Sequence, residues 1–210
     1  MSRALITGAA GQDGVLLSQQ LLADGHEVVG LIKPGTSDAP LRAYAPDVAV
    51  VECELGDPAD VTRTVVDVAP DEIYNLGGIS SIMESVNHPE MTRRVNVGAV
   101  EAILEAMTIL SPRVECRFVQ ASSGTIFEGT DVSPQNEDTP RNPHTPYAVA
   151  KAETMELIEK ARLDHGVFAA AAILYNHESP LRGNGFVTRR ITEGAARIAA
   201  GMTDMLELGN

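Results

Sequence analysis

Three glycines, at positions 8, 11 and 14, stand between an apolar run, Ala4-Leu5-Ile6-Thr7, and a stretch of helical spacing that begins at Gln12. A strand that becomes a helix across G-x-x-G-x-x-G narrows what such a chain can fold into. Glycine allows the tight turn. Lacking a Cβ, it also lets backbone N–H groups at the helix N-terminus approach a pyrophosphate. A glycine-rich turn with no ligand is the plain alternative. Placed between the first strand and first helix of an α/β chain, however, the pattern is more often a dinucleotide site.

The rest of the chain keeps the strand–helix rhythm. Strands are expected at 4–7, 27–32, 48–51, 72–76, 117–121 and 167–174, and helices at 12–23, 58–68, 89–109 and 146–165. The strands are rich in Val, Ile and Leu and do not alternate, as in a parallel sheet covered on both faces. This predicts an α/β fold with a doubly wound parallel sheet, a Rossmann fold. Leu17 and Leu21 share a helix face, Gly25 marks a helix stop, and Pro58, Pro89 and Pro146 suit first-turn positions. From Gly183 a glycine-rich loop leads into a helix expected over 186–201, and the sequence ends at Leu208-Gly209-Asn210 with no closing element in sight. We divide the chain into a dinucleotide-binding domain, 1–174, and the start of a small C-terminal substrate lobe, 175–210.

A net charge of −13 over 210 residues argues against nucleic acid or an anionic membrane as partner. An anionic substrate would need a local basic site, for which Lys33, Arg182, Arg189, Arg190 and Arg197 are candidates. The longest apolar run, 166–174, falls well short of the ~20 residues of a membrane span, and no cationic leader precedes the first strand. Cys53 and Cys116 read as buried structural thiols of a reducing compartment, so a cytoplasmic protein is expected. No Cys/His spacing predicts a metal site.

Tyr147 and Lys151 lie four apart in the helix that follows Asn142-Pro143-His144-Thr145-Pro146. That spacing puts them on one face, where a cation would favour phenolate and lower the tyrosine pKa. Any exposed helix can carry Tyr-x-x-x-Lys by chance, so its company decides. Ser122-Ser123-Gly124-Thr125 ends the fifth strand, on the side of an open α/β sheet where ligands bind, although serine is also an ordinary loop residue. Glu54-Leu55 could border an adenine, and Leu76-Gly77-Gly78 leaves room for a cofactor. After the second strand, Leu31-Ile32-Lys33-Pro34-Gly35-Thr36 holds a cation and a hydroxyl but no acid. This favours NADP over NAD, with a solvated surface lysine as the other reading of Lys33.

These pieces resemble the extended short-chain dehydrogenase/reductase family of nucleotide-sugar epimerases and dehydratases, most nearly its GDP-mannose 4,6-dehydratases. The resemblance rests on Ala4 to Gly8 with Gly11-Gln12-Asp13-Gly14, Glu72 to Gly77, Gln120-Ala121-Ser122, Thr145-Pro146-Tyr147-Ala148 running to Lys151, and Asn176-His177-Glu178-Ser179-Pro180 with Arg182-Gly183 and Phe186 to Arg189. It implies that NADP is held by Gly8, Gly11, Gln12, Asp13, Gly14, Lys33, Glu54, Leu55, Leu76, Gly78, Tyr147 and Lys151. It further implies that Tyr147 takes the proton of the sugar 4-hydroxyl while hydride leaves C4. Ser123 would bond that oxygen, and Lys151 would hold the nicotinamide ribose. The 4-ketone acidifies C5, water leaves C6, and hydride returns there. Ser80, Asn176, Arg189 and Arg190 would face the substrate. The family commonly assembles through helices flanking the sheet, so a homo-oligomer is expected.

Two departures stand out. The resembled dehydratases carry a glutamate two residues after the catalytic Ser/Thr, to handle the C5 proton and the C6 water; here that position is Thr125. Glu128, one helical turn further on, is a possible substitute or a solvated loop residue. The family chain also continues well past the Leu-Gly-Asn that ends this sequence. Three readings stay open: a GDP-mannose 4,6-dehydratase, a nucleotide-sugar C4 reductase or epimerase without the elimination step, and a non-catalytic nucleotide-binding fragment.

Overall fold

The computed structural model describes residues 2–111 and 114–208; Gly209 and Asn210, the last two of the sequence, lie outside them. The chain divides into two compact units, up to Tyr175 and from Asn176. The first carries β1 (Arg3–Thr7), α1 (Gln12–Ala23), β2 (Glu27–Ile32), α2 (Ala39–Tyr44), β3 (Ala49–Glu52), α3 (Pro58–Val68), β4 (Glu72–Asn75), α4 (Ile82–Asn87), α5 (Pro89–Asn96), α6 (Gly98–Leu110), β5 (Arg117–Ser123), α7 (Pro146–His165) and β6 (Phe168–Leu174). The six strands form one parallel sheet in the order β3-β2-β1-β4-β5-β6. This is the doubly wound arrangement. Its order reverses between β1 and β4, which opens a crevice at their carboxyl ends.

Burial explains why these runs became strands. Leu5, Ile6, Val28, Leu31, Ile73 and Phe118 are wholly or almost wholly buried, and Val61, Val65, Val100, Ile103 and Ala106 pack against one face of the sheet from α3 and α6. Helix ends follow their caps. Asp57 accepts from the N–H groups of Ala59 and Asp60 ahead of Pro58, and Thr145 accepts from Ala148 N–H ahead of Pro146. Gly166 ends α7 at φ +63°.

Two short helices, α2 and α4, stand where only connecting chain was expected. Six residues are too few to show a periodic stripe, and each is held by a local device: a proline in the first turn of α2, and Ser81 capping α4 by accepting from Glu84 N–H. The single helix expected over 89–109 is two, abutting at Val97. Val97 keeps helical dihedrals, and its N–H and C=O still bond Arg93 and Glu101, so the break barely disturbs the ladder.

The second unit contains α8 (Val187–Ala199), slightly shorter than the 186–201 expected. Within it, Arg182 stacks on Phe186 with the guanidinium carbon 3.6 Å from the ring centroid, and Leu206 fills the space over Gly194. No helix among the described residues is long and apolar enough to cross a membrane.

Candidate active site

The turn from β1 into α1 is built around absent side chains. Gly8 sits at φ +65°, and a Cβ there would meet the Cα of Gly77 at 2.8 Å and its N at 2.9 Å. A Cβ on Gly14 would meet Gly8 O at 2.5 Å and Ala9 Cα at 2.6 Å. Both neighbours are backbone, which cannot swing aside. Gly11 is the N-cap of α1 and supplies no side-chain cap, so the positive end of the helix dipole faces the crevice unscreened by a capping group. Such a cradle fits a pyrophosphate. Gln12 and Asp13 open the helix and are joined by a 3.1 Å hydrogen bond.

Other sequence-marked residues gather around this crevice. Leu55 follows β3 and lies against Gly77: its Cδ1 is 2.6 Å from where a Gly77 Cβ would be. The Glu54 carboxylate accepts from Gly56 N–H at 3.0 Å. Leu76 and Gly78 follow β4, and Gly78 approaches the Asn96 side chain, whose amide holds the Ile79 backbone at both N–H and C=O. Ser80 is exposed in the loop before α4. Lys33 is exposed just beyond β2, in a turn closed by Thr36 N–H donating to its carbonyl. The same loop meets an acid that the sequence reading of β2 could not register. Glu52, at the end of the neighbouring β3, accepts from Gly35 N–H at 3.1 Å.

At the ends of β5 and α7, Ser123, Tyr147 and Lys151 come together. The Ser123 and Tyr147 hydroxyls share a hydrogen bond, and Lys151 Nζ lies 5.7 Å from the Tyr147 ring centroid. Ser123 Oγ also accepts from Thr125 N–H at 3.3 Å and from the Thr125 hydroxyl at 3.1 Å. Fully buried Ser85 of α4 accepts from Tyr147 N–H at 3.3 Å and donates to Ile82 O at 2.7 Å, fixing the start of α7. No spacing in the sequence links positions 85 and 147, so this contact was missed.

One electrostatic expectation is corrected. The Tyr147 phenol is not lowered but pushed up, by burial, with the Ser123 hydrogen bond opposing. Lys151 is the one buried charged residue among the described residues, and it spends a hydrogen bond on the Ala121 carbonyl at 2.7 Å. Desolvation prevails, the Lys151 charge makes no resolved contribution, and Tyr147 rests as a neutral phenol.

Burial also pulls Lys151 down from 10.5 to about 8. Below about pH 8 both folded and unfolded chains hold the proton, and the full cost of burying the charge is present; between about pH 8 and 10.5 the unfolded chain binds more protons, so stability rises with pH. The rise should reach about 3 kcal/mol at most. Lys151→Met should abolish it, which urea unfolding at about pH 7 and about pH 10 will test; parallel curves for parent and variant would show an ordinary lysine.

Glu128 is committed to backbone and hydroxyl donors ahead of Tyr147. Its carboxylate accepts from the N–H groups of His144 and Thr145 and from the Thr145 hydroxyl, at 3.3–3.4 Å. It therefore anchors the chain entering α7, and the side chain that faces Ser123 is Thr125. Beside that anchor the excursion between β5 and α7 closes on itself. Asn142 O accepts from Gly129 N–H, the Asn142 amide donates to Gly129 O, and Asn142 N–H donates to Ile126 O.

Asn176, Arg189 and Arg190 lie in the second unit. Asn176 is exposed, Arg189 donates to Pro180 O at 3.4 Å, and Arg190 donates to Glu207 O at 3.0 Å.

The sequence profile of the GDP-mannose 4,6 dehydratase family matches residues 5–210. The chain belongs to that family. Relatives named GDP-mannose 4,6-dehydratase are 39% identical in Vibrio cholerae, over 99% of this chain and 58% of theirs, and one from Arabidopsis thaliana is 37% identical over the same shares. The chain thus spans about three fifths of the length of these curated relatives. Among solved structures, a UDP-glucose 4-epimerase from Brucella ovis superposes with a TM-score of 0.81 at 22% identity, covering 99% of this chain and 64% of that one. A dTDP-glucose 4,6-dehydratase from Streptomyces venezuelae gives 0.81 at 21%, over 95% and 62%. These two likenesses establish the fold shared by the family.

Proposed function

We propose that this chain is the dinucleotide-binding part of an NADP-dependent enzyme that converts GDP-mannose to GDP-4-dehydro-6-deoxymannose. The observation that carries the reading is the meeting of Ser123, Tyr147 and Lys151 beside the glycine cradle, in a chain of the GDP-mannose 4,6-dehydratase family. Gly8, Gly11, Gln12, Asp13 and Gly14 would hold the pyrophosphate of the dinucleotide. Lys33, Glu54, Leu55, Leu76 and Gly78 would hold its adenosine side, and Tyr147 and Lys151 its nicotinamide ribose. When bound, that group supplies the acceptor, and later the donor, of a hydride. The chain's own part is proton handling. Tyr147 takes the proton of the sugar 4-hydroxyl, Ser123 bonds the same oxygen, and Lys151 fixes the geometry from beneath. Ser80, Asn176, Arg189 and Arg190 are assigned to the sugar nucleotide, and residues 175–210 to the start of its lobe.

Thr125 favours a second reading, a C4 reductase or epimerase, because a threonine hydroxyl is no base near neutral pH. One assay separates the two. The full-length protein is incubated with GDP-mannose and NADP+. The 4-keto-6-deoxy product supports the first reading; reduced cofactor or C4 exchange without water loss supports the second. Binding with neither leaves a non-catalytic module.

The NADP preference is proposed on Lys33 and Thr36, and Glu52 pulls against it. Lys33→Ala should weaken NADP relative to NAD about two- to five-fold, and Glu52→Gln should strengthen it by a similar factor, as expected for exposed ionic contacts of ~0.5–1 kcal/mol. Fluorescence titration with both cofactors checks this; a parent that prefers NAD would reverse the proposal. A homo-oligomer is also proposed, supported by exposed Met83, Val86, Met91 and Val149 on the adjoining α4, α5 and α7. The free buried thiols Cys53 and Cys116 fit the cytoplasm.

A further inference from the structure

A line of buried hydrogen bonds crosses the sheet from the glycine cradle to Lys151. Gly77 N–H donates to Thr7 Oγ1 at 2.8 Å, and the Thr7 hydroxyl donates to Asn75 Oδ1 at 2.5 Å. Asn75 Nδ2 donates to Gln120 Oε1 at 2.6 Å, and Gln120 Nε2 donates to Ala121 O at 2.8 Å. That same carbonyl accepts Lys151 Nζ at 2.7 Å. Thr7, Asn75 and Gln120 are at most 1% exposed, so none of these groups can trade its partner for water.

The direction of the line is forced. The Ala121 carbonyl can only accept, so Gln120 turns its NH2 to that carbonyl and its Oε1 to Asn75. Asn75 then gives its NH2 to Gln120 and its Oδ1 to the Thr7 hydroxyl, which donates. A flipped Gln120 would set its oxygen against the carbonyl.

We propose that Gln120 is a positioning residue for Lys151, acting through the Ala121 carbonyl that both side chains share. Its NH2 shares that oxygen with the ammonium and so limits the directions from which the ammonium can approach. It also places the positive end of an amide dipole beside the ammonium. The titratable side chain next to Lys151 is Tyr147, and burial alone accounts for the downward shift of Lys151. Charged groups around α7 are engaged elsewhere: Arg93 with Glu153, Arg141 with Glu159, and Glu128 with the backbone at 144–145. The value of a fixed Lys151 to catalysis rests on the function proposed above; the hydrogen bonds do not.

The chain has three lysines, Lys33, Lys151 and Lys160, so protein labelled with ¹³C at lysine Cε gives three signals to titrate. In Gln120→Glu an oxygen replaces the NH2 against the Ala121 carbonyl while Asn75 keeps its acceptor; the ionised carboxylate beside the ammonium should raise the Lys151 midpoint by about one pH unit or more. In Gln120→Met the donor is lost, and the midpoint should rise by less. Lys33 and Lys160 should not move and serve as references. A Lys151 midpoint unchanged in either folded variant overturns the proposal, and a domain that merely lost stability would leave it unchanged. No substrate or cofactor is needed, so failure of the full-length protein to turn over GDP-mannose sinks the proposed function without touching this result.

Discussion

Thr125→Glu should raise the rate of water loss from the 4-keto sugar nucleotide by about 10²–10⁴-fold, the usual contribution of a positioned general acid–base group. That factor corresponds to about 3–5 kcal/mol of barrier. The side chain at 125 faces the Ser123 hydroxyl, which is itself bonded to Tyr147, so a carboxylate placed there enters the reacting centre. Losing the Thr125–Ser123 hydrogen bond should cost only about 1 kcal/mol of stability. The comparison is made in the full-length protein by following solvent deuterium into C5 and the 4-keto-6-deoxy product, with reduced cofactor as the measure of C4 oxidation. Intact C4 oxidation with elimination no faster than in the parent would show that position 125 does not reach C5. Glu128→Gln is the matched control. It should leave the chemical step alone, because the Glu128 carboxylate is bound to the entry of α7.

Tyr147→Phe should lower C4 oxidation by about 10²–10⁴-fold, with a much smaller loss of cofactor affinity from the one contact its hydroxyl would make to the nicotinamide ribose. The substitution removes one hydroxyl, whose hydrogen bond within the protein is to Ser123, and keeps the ring against which Lys151 lies. Because burial holds the phenol above its ordinary value, the rate in the parent should climb with pH through the neutral range, as a growing fraction of Tyr147 becomes able to accept a proton. The variant should lose that climb along with the rate. Single-turnover formation of reduced cofactor across pH measures both. A Phe variant retaining most of the parent rate would move the proton acceptor elsewhere.

Much of the fold could be read from residue order, for local reasons. β2, α1, α3 and α7 begin and end where glycine, proline and caps place them. The two further helices, α2 and α4, are six residues each, too short to show a stripe. The glycine loop and the Ser–Tyr–Lys set were visible because each needs a particular residue type at a particular place. What stayed hidden depends on strands distant in sequence becoming neighbours. Glu52 reaches the loop after β2 only because β3 pairs with β2. Gln120 meets Asn75 only because β5 pairs with β4. The lowered Tyr147 pKa inferred from spacing failed because spacing carries no information about desolvation.

The neck formed by Ile126, Gly129 and Asn142 makes the long excursion before α7 a side branch whose two ends are tied together. Apart from Gln135, which accepts from the Tyr175 hydroxyl at 2.5 Å, residues 131–138 can therefore lengthen, shorten or change composition without altering the distance along the chain that matters, from Ser123 to the tied neck and on to Tyr147. The excursion is a place where the protein can acquire new contacts outside while its reacting hydroxyls stay in register.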